Sequence, residues 1–301
     1  MPEATANTNL LVFDRHAVRR HRDRAAPRFD AHRFLFDETA DRLLDRLDDI
    51  KRRFPTALDL GCHTGLLAKA MAGRGGIETL VQCDPAPEMV QRASGLRLVA
   101  EEDLLPFGTA RFDLVLSLLS LHWVNDLPGA LVQINRSLKP DGLFLGCLLG
   151  GDTLSELRAA WMAAEIDVEG GASPRVSPFV DVRDAGALLQ RAGFALPVVD
   201  SDVITVSYGD PMSLMQDLRW MGESNAVRTR RTGFTRRRTL LRAAEIYVER
   251  FGRDGRLPAT FQVITLTGWH PDKTAQQQPL RRGSGQTSLA DVLSHTPKEK
   301  D

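Results

Sequence analysis

The sequence predicts an α/β fold: a doubly wound, mostly parallel seven-stranded sheet with helical insertions. Three observations predict it. From Thr56 onward, short apolar runs alternate with helical stretches at the rhythm of strand–helix–strand units. The first run, ALDL at 57–60, leads into a glycine-bracketed turn, GCHTG, at 61–65. The run FDLVLSLLS at 112–120 is almost continuously apolar, as expected of a strand covered on both faces.

Residues 1–53 read as a helical, charged segment crowded with arginines: Arg15, Arg19, Arg20, Arg22, Arg24, Arg28 and Arg33. Leu43, Leu44, Leu47 and Ile50 fall at helical spacing and give it one buried stripe. Pro55 stops it. The region 54–150 then reads as a ligand-binding core. Its first strand (57–60) is followed by a helix over 65–72, ended by Gly73, Gly75 and Gly76. A second strand (78–84), a short helix (87–93), a third strand (96–101) and the fourth (112–120) follow. The next helix starts near Asp126 with Pro128 in its first turn. KPDG at 139–142 closes that helix, and LFLGCLLG at 143–150 is the fifth strand.

Residues 151–270 complete the same sheet and add substrate-side helices and a lid. Helices are expected over 153–166, 184–194 and 211–225, with a Gly/Ser/Pro-rich loop over 169–182. Strands over 195–208 and 257–269 form an antiparallel pair closing one sheet edge. A strongly basic stretch spans Arg228 to Arg242. The tail, 271–301, is polar and expected to be flexible.

Composition narrows the function classes. Of 301 residues, 43% are hydrophobic, enough for a sizeable core. Lys plus Arg (39) equals Asp plus Glu (39), so no positive surplus favours nucleic acid or a membrane surface. No apolar run approaches the roughly 20 residues needed to span a bilayer. The first residues lack the apolar stretch of a secretory signal, and Glu3, Asp14 and Asp23 spoil a transit-peptide reading. Three cysteines, Cys62, Cys83 and Cys147, argue against a disulfide framework and for a reducing compartment. No CxxC or CxxxH pair suggests zinc, and no metal is expected.

The sharpest signal is PTALDLGCHTGLLA at 55–68. Gly61 lets the backbone turn and approach a ligand. The helix beginning near Gly65 offers free N–H groups to an anion. A dinucleotide site would carry GxGxxG here. The sequence instead has Asp59 two residues ahead of Gly61, which suits an ammonium group better than a pyrophosphate. Ammonium and carboxylate together describe an amino acid. Asp84 closes the second strand, where a carboxylate can accept both hydroxyls of a ribose. Glu101 and Glu102, ending the third, can take the edge of an adenine. Amino acid, ribose and adenine together make S-adenosylmethionine. The expected cofactor set is Asp59, Gly61, Cys62, Gly65, Asp84, Glu101 and Glu102. Each alone has a bland reading as a turn residue, strand cap or solvated acid. Their position at successive strand ends unites them.

Over 57–148 the chain resembles the class I S-adenosylmethionine-dependent methyltransferases, whose fold is Rossmann-like. Nearly end to end it resembles one family, the mitochondrial complex I assembly factors with a methyltransferase fold and their α-proteobacterial relatives. The resemblance rests on FDR (13–15), LDLGC (58–62), LPF (105–107), FDLVLSLLSLHWVNDLP (112–128), LKPDG (138–142), GGDTLSELR (150–158), EGGASPRVSPF (169–179), MGESN (221–225), PATFQVI (258–264) and RGS (282–284). It implies hydroxylation of an arginine in a core subunit of respiratory complex I, early in assembly. It implies cofactor contacts at Asp59, Gly61, Gly65, Asp84 and Glu101. Two departures stand out: the family usually carries glycine where His63 stands, and aspartate is commoner at Glu101. The expected setting is a bacterial cytoplasm, or the mitochondrial matrix if the source is eukaryotic, with peripheral or no membrane contact.

His122 and Trp123 follow the fourth strand, at the mouth where the reactive group belongs. His122 is a candidate general base, or simply a pocket wall. Asp152, Glu156 and Arg158 are placed to grip a substrate, and Glu169 or Glu223 to pair with a substrate arginine through two parallel hydrogen bonds. Helix capping and surface solvation are the alternatives for Asp152 and Glu169. The catalytic candidates are His122, Asp152 and Glu223. His270 and Asp272 have the HxD spacing of an iron site, but chance accounts better for it. The basic stretches at 15–33 and 228–242 read as solvated helix faces more readily than as docking surfaces. Met212, Met215 and Met221 read as core. The other functions the sequence allows are methyl transfer to a small carboxylate or acyl-carrier substrate, and a non-catalytic assembly chaperone.

Overall fold

A computed structural model describes residues 11–71 and 73–272. Readings that fall on residues 1–10, on Ala72 and on 273–301, including RGS and most of the tail, lie outside the described residues. All the elements named here belong to the unit that ends at Pro271.

Seven strands form one sheet: β1 (Thr56–Leu60), β2 (Thr79–Asp84), β3 (Leu96–Val99), β4 (Phe112–Leu118), β5 (Leu138–Leu149), β6 (Ala195–Tyr208) and β7 (Leu257–Trp269). Their order across the sheet is β3-β2-β1-β4-β5-β7-β6. The first five strands run parallel, and β7 is antiparallel to both β5 and β6. The mostly parallel sheet and its antiparallel closing pair therefore match the sequence expectation. The order reverses between β1 and β4, which opens a crevice beyond their C-terminal ends, the usual place for a ligand in an open α/β sheet.

Alternation along the strands separates two cores. On β5, Leu143, Leu145 and Cys147 face one cluster, while Phe144 and Leu148 face the other. The first cluster packs under α3 (Phe34–Asp48), α4 (Leu66–Ala70), α7 (Ser155–Glu169), α9 (Pro211–Trp220) and α10 (Arg237–Phe251). The second packs under α6 (Leu127–Ser137) and α8 (Val182–Arg191). Two short helices, α2 (Phe29–His32) and α5 (Pro87–Val90), complete the set with α1 (Arg15–Ala25). Phe261 on β7 is completely buried in the first cluster. Phe261→Ala is expected to cost about 3–5 kcal/mol, read from the urea-denaturation midpoint, because the ring leaves a cavity the sheet cannot close.

Three local expectations differ from the structure. The helix after the glycine turn is only Leu66–Ala70, because Gly73, Gly75 and Gly76 all adopt positive φ right after it. KPDG does not merely end a helix: it lies inside β5, with Asp141 at φ +59 and a register shift between Phe112 and Leu114 of β4. The C-terminal half of the basic stretch starts α10, a helix its crowded arginines obscured.

Candidate active site

β1, β2 and β4 end in the crevice, and the loop after β3 enters it. The backbone N–H groups of Gly61 and Cys62 both donate to Cys83 O, at 2.8 and 2.9 Å, so the turn after β1 is tied to the end of β2. Gly61 has φ +76, and a Cβ there would collide with the Ser120 side chain. Only glycine fits both demands. Gly65, at φ +76, caps α4. The five residues of α4 give a weaker dipole end than the longer helix expected from sequence.

Asp59 is completely buried, and neither carboxylate oxygen has a hydrogen-bond partner. Burial, with the nearby charge of Asp84, pushes its carboxyl up to about 8. An unpaired buried carboxylate asks for a cation.

The other acids are already engaged. Asp84 Oδ1 accepts from Ala86 N at 2.9 Å, and Oδ2 from His63 N at 3.1 Å. Arg22 of α1, itself completely buried, donates from Nη1 to Asp84 Oδ2 at 3.1 Å and to Glu102 Oε1 at 2.8 Å. Its Nη2 donates to Ser120 Oγ at 2.9 Å. Arg15 donates to Glu101 Oε2 at 2.6 Å, to Glu102 Oε2, and to the carbonyl of Trp123 at 3.1 Å. Glu102 is buried; burial opposes its charge, but Arg15 and Arg22 overcome that and hold it at about 2. Burial alone would lower Arg22, yet Asp84 and Glu102 raise it above the usual arginine value, so it stays charged. Glu101, by contrast, has a side chain 41% exposed. Of the two neighbouring acids, Glu102 faces inward.

His63 stands at φ +51, a backbone conformation that favours glycine. Its buried ring stacks on Phe29 at 5.2 Å and meets Phe36 edge-on at 4.8 Å. These contacts hold the residue where glycine would be easier. Burial and the Arg22 charge push its imidazole down to about 3, so it is neutral. A histidine depressed below its unfolded value contributes stability above that value and loses it as pH falls. The stability difference between wild type and His63→Asn is therefore expected to shrink by about 2 kcal/mol between about pH 7 and about pH 5 in urea melts. A difference that does not change with pH contradicts this.

A second group lies across α1. His122 Nε2 donates to Glu223 Oε2 at 2.9 Å, and Trp123 Nε1 donates to the same oxygen at 2.9 Å. That leaves Glu223 Oε1 and His122 Nδ1 buried without partners. Burial opposes ionisation of Glu223, but His122 and Arg22 outweigh it and hold the carboxyl below its ordinary range. A neutral imidazole that donates Nε2–H to this carboxylate keeps its lone pair on Nδ1. Glu223 lines a cavity of about 180 Å³ with Trp123, Trp161, Arg175 and Phe179. Arg175, Val176 and Phe179 also line a wider outer groove of about 730 Å³ with Leu11, Val12, Met162 and Val227.

The structure thus brings His122 and Glu223 together and leaves Asp152 apart. The Asp152 side chain is exposed, and its N–H donates to Gln262. It does not cap α7, whose N-cap is Leu154. Glu156 bonds Thr260, and Arg158 bonds the carbonyls of Gly151, Thr153 and Ser177, so both hold the chain in place. Glu169 is engaged by Thr239 and Arg231, not left to solvent. The basic stretches also turn inward: besides Arg15 and Arg22, Arg230 pairs with Asp14 and Arg28 covers the Trp220 ring. Ser120 and Arg22 were not among the sequence candidates. The signal for Arg22 was present, since it shares the buried stripe of α1 with Val18 and Ala25. Among the described residues, no group of three or more His, Cys, Asp or Glu is arranged to hold a metal ion. His270 Nδ1 is hydrogen bonded to Asn135 Oδ1 at 2.6 Å.

A family profile described as a methyltransferase domain matches residues 58–146. Arginine-hydroxylase NDUFAF5, mitochondrial, of Danio rerio is 42% identical over 296 residues, covering 96% of this chain and 91% of that protein. The chain belongs to the NDUFAF5 arginine-hydroxylase family. A malonyl-[acyl-carrier protein] O-methyltransferase of Methylovorus is 37% identical, covering 87% of this chain and 91% of that protein. The crystal structure of BH2331 from Bacillus halodurans superposes with a TM-score of 0.54 at 15% identity, covering 78% of this chain and all (100%) of that one. That likeness shows the fold.

This NDUFAF5-family chain is an enzyme of the S-adenosylmethionine-dependent methyltransferase superfamily, and S-adenosylmethionine is the cofactor of that fold. Its residues fit the cofactor in part. The orphan carboxylate of Asp59 and the close backbone at Gly61 suit the amino-acid end. Asp84 and Glu102, which the sequence offered for the nucleoside, hold Arg22 instead.

Proposed function

We propose that this chain hydroxylates an arginine of a partner protein, with Glu223 holding the guanidinium. The single observation behind this is Glu223 Oε1: a buried, unpartnered carboxylate oxygen in a small chamber walled by aromatic rings. A guanidinium satisfies such an oxygen and lies well against aromatic faces. His122 Nδ1, held in one tautomer by Glu223, is the group able to accept a proton there. The outer groove receives the protein segment that carries the arginine, and Asp152, next to Gly151 of that groove, stands on its rim. Asp59, Gly61, Cys62, Gly65, Asp84, Glu101 and Glu102 form the cofactor side. S-adenosylmethionine held there would supply a sulfonium charge, while the oxygen atom and the two-electron oxidation that inserts it would come from a dioxygen-derived oxidant outside this chain.

The partner implied by the resemblance is a core subunit of respiratory complex I. The relative named for arginine hydroxylation supports the reading. No described helix is long and apolar enough to cross a membrane. Intact-mass analysis of that subunit, from cells with and without this chain, tests the proposal. A gain of one oxygen on an arginine is expected. A methyl gain there would rewrite the chemistry, and no change would sink the reading of this subunit as the substrate.

A second reading is favoured by one observation, the malonyl-[acyl-carrier protein] O-methyltransferase relative. It makes the substrate a small carboxylate or acyl-carrier thioester. Glu223 weighs against it, because an orphan carboxylate oxygen repels a second carboxylate. Methylation of a malonyl-carrier substrate in vitro would reverse the order of the two.

A further inference from the structure

We infer that α1 is a latch over the cofactor site, with Arg22 as a built-in occupant that the cofactor must displace. The inference rests on the assignment of Asp84 and Glu102 to the nucleoside. Those two carboxylates are satisfied by one guanidinium. Arg22 Nη1 reaches both, at 3.1 and 2.8 Å, and Nη2 takes Ser120 Oγ. The remaining Asp84 capacity goes to the N–H groups of His63 and Ala86. A ribose presenting two hydroxyls to Asp84, and a guanidinium already seated on it, need the same space. The cation also matches the site's charge, since it compensates two buried acids that would otherwise repel each other.

The latch reaches the substrate side too. Arg15, one α1 stripe position from Val18, holds the carbonyl of Trp123. Phe13, just before α1, packs edge-on against the Trp123 ring at 5.4 Å and bridges to Val227. Asn125 Oδ1 accepts from Phe13 N at 2.8 Å. Trp123 and Val227 line the inner chamber and the outer groove respectively. Departure of α1 therefore loosens one wall of each. Cofactor enters first, and the protein substrate gains its opening as a consequence.

α1 is also tied to the start of α5 by a hydrogen bond from Glu88 N to Asp23 Oδ1 at 3.0 Å. Two experiments test the latch on the full chain, with S-adenosylhomocysteine as probe. Calorimetry first establishes that the probe binds; absence of heat sinks the cofactor assignment and the latch with it. Hydrogen–deuterium exchange is then measured over 15–25 with and without probe. Exchange there is expected to rise at least several-fold on binding, while β1 and β4 slow. Binding with unchanged or slower exchange over 15–25 overturns the latch and leaves the cofactor assignment standing. The second experiment locks α1 with the pair Asp23→Cys and Glu88→Cys, the disulfide confirmed by mass. The oxidised protein is expected to bind the probe at least tenfold more slowly than the reduced protein. Equal association rates in the two redox states overturn the inference.

Discussion

Asp59→Asn is expected to weaken S-adenosylmethionine binding about 100-fold, measured by calorimetry near pH 7, because on the proposed assignment it removes the charge that meets the ammonium. The pH dependence carries more information than the loss itself. Burial raises the Asp59 carboxyl to about 8 in the protein, so near pH 7 it is mostly protonated. Only the ionised form attracts the ammonium. Binding therefore releases a proton, and affinity rises with pH until it levels off above about pH 8. Calorimetry near pH 7 in buffers of different ionisation enthalpy reads that proton directly. No proton released would mean the carboxylate is not the ammonium's partner.

The same residue governs folding stability with a definite sign. A carboxyl whose folded value lies above its unfolded value holds a proton in the folded state and loses it on unfolding. Wild-type stability contributed by this site thus falls as pH rises from the ordinary carboxyl range toward about 8, and flattens beyond it. Asp59→Asn has no such slope. Relative to wild type, the variant is expected to gain on the order of 4 kcal/mol between about pH 4 and about pH 8 in urea melts.

The second large effect is at Glu223. Glu223→Gln keeps the shape but offers a substrate guanidinium a neutral amide. It also gives His122 and Trp123 a weaker acceptor. Modification of the arginine is expected to fall at least 100-fold by mass spectrometry, with probe binding at the cofactor site changed less than about fivefold. Equal losses in both would point to collapse of the shared wall. Retention of modification would place the guanidinium elsewhere.

The mostly parallel sheet and its antiparallel edge were legible in the sequence, because each rests on a local pattern of strands and helices; the strand order was not. Period-two alternation marked β6 along most of its length. The turn chemistry of Gly61 marked the ligand crevice. Long-range pairings were not legible. Nothing local says that Arg22 crosses to Asp84 and Glu102, or that Glu223 meets His122 a hundred residues away. The arginines of α1 look like a solvated face because arginines usually are one. The buried pair is visible only once the sheet has brought its acids beneath the helix. His63 was noticed as a missing glycine, but its rings of contact, Phe29 and Phe36, lie on elements whose approach the sequence does not encode locally.

The way α1 is held has a consequence for synthesis. This helix leaves the ribosome before any of its partners. Arg22 waits 62 residues for Asp84, 80 for Glu102 and 98 for Ser120, and Phe13 waits for Val227. Docking so dependent on distant chain is slow and late. A nascent polypeptide cut short before Val227 would therefore carry an arginine-rich helix with part of its seat missing, exposed to chaperones and proteases. Only a chain made through Val227 and the residues just after it offers α1 all its partners, so the first described helix is among the last to be seated.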